Sequence, residues 1–151
     1  RNVEGVLKEM LSLTKQMKIE SLHIIGDRKL KHLAEHIKRE MKGKDQDLHL
    51  HIALAMGKIG DENVVDTLME LLLNYQTSRE VLEHLPRMDT GVLQKLREKI
   101  YALGRYDYQF LMYQIQKMKN TKELTELLHL RERELKTAYG RKAAYLTRYG
   151  K

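Results

Sequence analysis

Apolar residues recur at helical spacing along nearly the whole chain. Val6, Leu7, Met10, Leu11, Leu13 and Met17 form one stripe, with Thr14 on its edge, and this predicts a helix from Val3 to Met17. Leu30, Leu33, Ala34, Ile37 and Met41 form a second stripe within Arg28 to Met41. Lys31, His32, Glu35, Lys38 and Arg39 lie elsewhere around that helix, and Gly43 is placed to end it.

The third segment differs, because Leu48, Leu50, Ile52, Ala53, Leu54, Ala55 and Met56 are apolar nearly all round. Such a helix has to be covered on several sides, and Asp45 to Asp47 can cap its start. Asp61 then caps a helix whose Val64, Val65, Leu68, Leu71 and Leu72 turn inward while Glu62, Asp66 and Glu70 turn away. The two predict a hairpin over Asp47 to Leu73 at the centre of the fold.

Thr77 and Glu80 have capping-box spacing and open a short helix, 77–85, which stops before Pro86 and reads as an insertion. Asp89 caps the next helix, with Val92, Leu93, Leu96, Ile100 and Leu103. After Gly104 comes one with Tyr108, Leu111, Met112, Ile115 and Met118 inward. Asn120 and Glu123 start a longer one through Leu124, Leu127, Leu128, Leu135 and Ala138, and a final short helix follows Gly140. The pattern predicts an all-α fold of about nine helices in consecutive pairs.

Composition agrees with that pattern and narrows the function. One Pro, no Trp and one Phe among 151 residues leave few strand formers. Zero Cys removes disulfides, thiolate metal sites and cysteine nucleophiles, so a cytoplasmic setting is expected. No apolar run approaches the roughly 18 residues of a membrane span. The chain begins at Arg1, already close to a helical pattern, as a fragment of a longer protein would. A net charge of +7 favours an acidic partner, whether nucleic acid, anionic lipid or protein.

The segment Ala55-Met56-Gly57-Lys58-Ile59-Gly60-Asp61, leading into Val64, Val65 and Leu68, combines small residues for close helix approach with a turn and a cap. It resembles the HEAT-like repeats of the phycobilisome-lyase type, with Met56 where the family pattern has Leu. Ile25-Gly26-Asp27, 34 residues earlier, looks like the same turn, and Ala102-Leu103-Gly104 and Ala138-Tyr139-Gly140 look like weaker copies. The resemblance implies a right-handed, α-solenoid-like stack forming one domain over 1–151, with repeats near 3–43, 45–74, 89–119 and 121–150. It also implies binding on a concave face lined by the second helix of each pair.

Little in the chain points to catalysis. His32-Leu33-Ala34-Glu35-His36 matches the inverted zinc-peptidase motif, in which two His on one helical turn would hold the metal. Both His lie away from the Leu33 and Ile37 stripe and no third ligand is evident, so a solvated surface is expected, with no metal and no cofactor. His49 and His51 diverge by about 200° and suit contacts between helices. No His-Glu dipeptide and no phosphate loop occurs.

A binding surface is the better candidate. Arg105, Tyr106, Gln109, Tyr113 and Lys117 share one helix, and Arg141, Tyr145, Arg148 and Tyr149 fall within about 100° of one another on another. Cations interleaved with flat rings suit a protein interface, or phosphate neutralisation with base stacking. Glu62, Asp66 and Glu70 interrupt any continuous phosphate track. Arg131, set within an apolar stripe, is expected at an interface or against an acid. The expected partner is an acidic or helical protein, with DNA or RNA as the alternative.

Overall fold

A computed structural model describes residues 3–11, 14–40 and 46–130. Among them are nine α-helices, three short 3-10 turns and no strand. The chain divides into two compact units: Arg1–Leu68 with Arg87–Val92, and Met69–Pro86 with Leu93–Lys151.

The first unit holds α1 (Val3–Leu11), α2 (Lys15–Asp27), α3 (Ala34–Glu40), α4 (Gln46–Ile59) and the start of α5 (Val65–Leu72). The single helix expected from Val3 to Met17 is two helices. Thr14 is the N-cap of α2, its hydroxyl oxygen accepting from the Met17 amide at 3.3 Å. A threonine on the edge of an apolar stripe is a boundary here, because its hydroxyl competes with the helix for backbone partners. Leu7, Leu22, Ile25, Leu33, Ile37, Leu48, Ala55, Met56 and Ile59 make the core. Each fully buried Leu or Ile contributes on the order of 2 kcal/mol.

The principal partner of α4 is α2 rather than α5. His23 meets His51, Gly26 meets Ala55 and Asp27 meets Lys58, so the two helices run parallel. Glycine is what permits the approach: a Cβ on Gly26 would lie 3.0 Å from the Ala55 Cα, a backbone atom with no side-chain freedom to move aside.

Gly26 therefore sits inside a helix and not in a turn, and the turn that does recur is offset from the Ile-Gly-Asp letters. The residue in left-handed conformation is Lys29 (φ 53°) after α2 and Gly60 (φ 107°) after α4. The Leu30 amide donates to the Ile25 carbonyl, and the Asp61 amide to the Met56 carbonyl. Both turns lead into a 3-10 turn, Lys31–Leu33 or Glu62–Val64, and then into α3 at Ala34 or α5 at Val65. Every one of these pairs is 31 residues apart.

The first unit is completed by the strap Arg87–Val92. Met88 is buried, and its sulfur would be 2.6 Å from a Cβ on Gly57; the Asp89 amide donates to the Gly57 carbonyl at 3.1 Å. Asp89 also caps α7 (Thr90–Tyr101), accepting from the Gly91 and Val92 amides.

The second unit contains the end of α5, α6 (Ser78–His84), most of α7, α8 (Arg105–Gln116) and α9 (Thr121–Leu127). Two of its turns are built alike. The Thr77 hydroxyl donates to the Leu71 carbonyl at 2.6 Å, and the Thr121 hydroxyl, closest to the Met118 carbonyl at 2.6 Å, also reaches the Ile115 carbonyl at 2.9 Å, so both hydroxyls turn back to the end of the helix before. Thr77 stands at the N-cap position of α6 without a side-chain capping bond, its hydroxyl being directed backwards. Asn120 pairs its side chain with Glu123 at 2.8 Å.

The long helix expected to run on from Asn120 ends at Leu127. His129 adopts φ 56°, the His129 amide donates to the Glu126 carbonyl and the Leu130 amide to the Thr125 carbonyl. This is the closure seen after α2, made by a non-glycine residue in both places. From α7, Arg97 Nε donates to the Leu127 carbonyl at 2.9 Å and the Tyr101 hydroxyl to the His129 carbonyl at 2.7 Å. Leu135 and Ala138 lie outside the described residues.

Candidate functional site

The α8 face is presented as its spacing predicts. Gly104 precedes it in extended conformation, with nothing within 4 Å of where a Cβ would sit, so the corner before α8 is open. Arg105 and Tyr106 are exposed, Tyr106 to 83%, and Lys117 is exposed; Gln109 and Tyr113 are half-buried. Tyr106, Gln109, Tyr113 and Lys117 follow one helical stripe, while Leu111, Met112 and Ile115 are fully buried on the other side. Lys117 Nζ lies 4.5 Å from the centre of the Tyr113 ring, so this cation and ring are already paired within the face.

The corner is richer than its sequence suggested. Tyr101, at the end of α7, is 58% exposed although its hydroxyl is bonded to the His129 carbonyl. Its ring thus lies at the surface beside the α7–α8 turn, tethered through its hydroxyl. Tyr75 is also open to solvent. Arg131, Arg141, Tyr145, Arg148 and Tyr149 lie outside the described residues. As sequence, 131–151 carry seven basic and two acidic residues.

The His32 to His36 motif is split between two elements. His32 lies in the 3-10 turn and pairs through Nε2 with Glu4, whereas Glu35 and His36 lie in α3. Among the described residues no group of three or more His, Asp and Glu is arranged to hold a metal ion. His51 makes an edge-to-face contact with His23, ring centres 5.0 Å apart, a contact between helices rather than a pairing with His49.

One constellation was missed by sequence reasoning. Lys58 is 1% exposed, and its Nζ donates to Asp27 Oδ1 at 2.8 Å. Arg87 Nη1 stands 3.3 Å from both oxygens of the same carboxylate. Lys29 Nζ donates to the carbonyls of Lys58, at 2.9 Å, and Arg87, at 3.2 Å. The pattern did hold a signal, since a lysine directly continues the most apolar helix of the chain.

Burial pushes the Lys58 ammonium below its ordinary pKa, and the bond and charge of Asp27 oppose that shift. Desolvation works to raise Asp27, but the hydrogen bond and charge of Lys58 and the charge of Arg87 outweigh it, so the carboxyl lies below its usual value. Elsewhere in this unit the Asp61 carboxylate, 3.2 Å away, raises Lys38.

No helix among the described residues is long and apolar enough to cross a membrane. Comparisons of the chain with models of protein families, with curated proteins and with solved structures find no match. The HEAT-like resemblance is carried by the residues that suggested it.

Proposed function

We propose that this chain is a HEAT-like helical scaffold segment that binds another protein, with the α7–α8 corner and the exposed stripe of α8 as its contact surface. The observation that carries the reading is the set of exposed rings on a packed framework: Tyr106 at 83% and Tyr101 at 58%, beside the exposed Arg105. Tyrosine and arginine dominate the energetics of protein interfaces because they bring large contact area with few rotatable bonds. The turns recurring after α2 and α4 at 31 residues support the repeat part of the reading. Capture of partners by the intact chain and by an Arg105→Glu, Tyr106→Ala variant tests the surface. A partner retained equally by both overturns it.

Nucleic acid is the second reading, favoured by one observation: seven basic against two acidic residues over 131–151, with Tyr145 and Tyr149 among them. Binding to a single-stranded oligonucleotide that weakens steeply with salt, and is lost in Arg141→Glu with Arg148→Glu, is the outcome that would select it.

A further inference from the structure

The first unit is close to neutral, with 13 basic and 12 acidic residues over Arg1–Leu68 and Arg87–Val92. Where α2 and α4 end, Asp61 is paired with Lys38 and Asp89 accepts from the Gly91 and Val92 amides, which leaves Asp27 to face the cations. Lys29, Lys58 and Arg87 gather about the single carboxylate of Asp27, and the exposed Arg28 adjoins them in sequence.

The three cations are not equivalent. Lys58 is enclosed and has Asp27 as its charge partner at 2.8 Å, so it neutralises that carboxylate and can turn to nothing else. Arg87 is the opposite: its side chain is 56% exposed, and it reaches the carboxylate only at 3.3 Å, long for a charge-assisted bond. A guanidinium has five donors in a planar fork, and the Asp27 contacts use one nitrogen of it. Lys29 is held beside Arg87 by its two bonds to carbonyl oxygens, from a left-handed turn that fixes where its side chain leaves the backbone.

With Lys58 assigned to Asp27, the two cations Lys29 and Arg87 remain for one external group. We infer that this corner binds a tetrahedral oxyanion, a phosphate or sulfate group, gripped by the Arg87 fork and the Lys29 ammonium while Lys58 keeps Asp27 neutralised. A group of charge near −2 matches the pair, and its several acceptor oxygens suit a fork and a point charge together. A monatomic anion offers no such geometry. The inference is independent of the α8 surface, which belongs to the other unit.

Thermal unfolding of the full chain in inorganic phosphate, sulfate and phosphoserine, each against sodium chloride at equal ionic strength, tests it. The expected result is a rise in midpoint with the oxyanions beyond that with chloride, growing with concentration. Arg87→Gln should remove the increment, weakening binding at least about tenfold, the worth of one charge-assisted contact. Lys122→Gln, which lowers the net charge equally at an exposed position in the other unit, should keep it. Tighter binding of phosphoserine than of inorganic phosphate identifies a phosphate ester as the natural source, and equal binding identifies the free anion. Amide shifts on phosphate titration should centre on Asp27 to Lys29 and Lys58. No increment over chloride, an increment retained in Arg87→Gln, or shifts centred elsewhere would overturn the site.

Discussion

The two units handle charge in opposite ways. The first, with 13 basic and 12 acidic residues, turns a lysine inward and holds it with a carboxylate; the second, with 15 and 9 in its sequence, buries no charged side chain among its described residues and adds exposed tyrosines. The closure after α2 recurs after α9, but the helices around the two are fitted differently. In the first, helices approach at glycine, as at Gly26 against Ala55. In the second, carbonyls at or just beyond helix ends take bonds from the side chains of Thr77, Arg97, Tyr101 and Thr121, a device the first unit shows at Lys29, which donates to the Lys58 carbonyl. The first unit thus spends its unusual residues on internal fit, whereas the second leaves some of its own available for contact.

The largest effect is expected where the buried charge depends on one partner. Asp27→Ala leaves Lys58 enclosed without its carboxylate and should destabilise the first unit by about 3 kcal/mol, the lower end for breaking a buried pair because Asp27 is itself part-exposed. Lys58→Met should cost far less, since it removes the buried charge and leaves Asp27 with Arg87 at the surface. Urea unfolding followed by amide exchange reads both, and equal losses would break the contrast. Acid acts on the same pair. The folded pKa of Asp27 is depressed, so its contribution is present above the unfolded carboxylate value and is lost as pH falls below about 4 through the folded one.

Next comes the helix approach. Gly26→Ala places a methyl 3.0 Å from the Ala55 Cα, so α2 and α4 must separate, at about 2 kcal/mol. Gly57→Ala meets the Met88 sulfur and Leu68 Cδ1, ends of side chains that can move, and should cost less. A larger loss at Gly57 would mean that the strap, rather than the α2–α4 contact, limits the fit of this unit.

These positions also mark how far the sequence could be read. Long amphipathic stripes predicted α7 and α8, and side-chain caps fixed the start of α7 at Asp89, because such signals are local. The α2 helix was overlooked between Met17 and Arg28, since its buried set includes Ser21 and Gly26, which carry no hydrophobic signal. Ile25-Gly26-Asp27 copies the letters of Ile59-Gly60-Asp61 without forming the same turn. The glycine serves helix contact in one and left-handed backbone in the other. Lys29 and His129 take the left-handed position without being glycine, so the two turns carried no letter to find. Of the candidate surface, the α8 stripe was legible from periodicity. Lys58, Asp27 and Arg87 were not, because their association depends on tertiary pairing across 31 and 60 residues.

Within the second unit a smaller loss is expected. Tyr101→Phe removes the bond to the His129 carbonyl while leaving the ring, and should cost about 1 kcal/mol, the net worth of one hydrogen bond. Amide exchange at the end of α9 should quicken, and unchanged protection there would show that Arg97 alone secures that end.

The smallest stability effect should fall on the residue with the largest expected role. Tyr106 is 83% exposed, so Tyr106→Ala removes almost no buried area and should change stability by no more than about 0.5 kcal/mol. If the ring is an interface anchor, the same substitution weakens partner binding by at least about tenfold, and most of that change lies in dissociation rate. Asp27→Ala should give the reverse pattern, a large change in unfolding with partner affinity retained under conditions where the chain remains folded. The two substitutions together separate a residue kept for fit from one kept for contact. A Tyr106→Ala chain that loses stability as Asp27→Ala does would erase the distinction between the units.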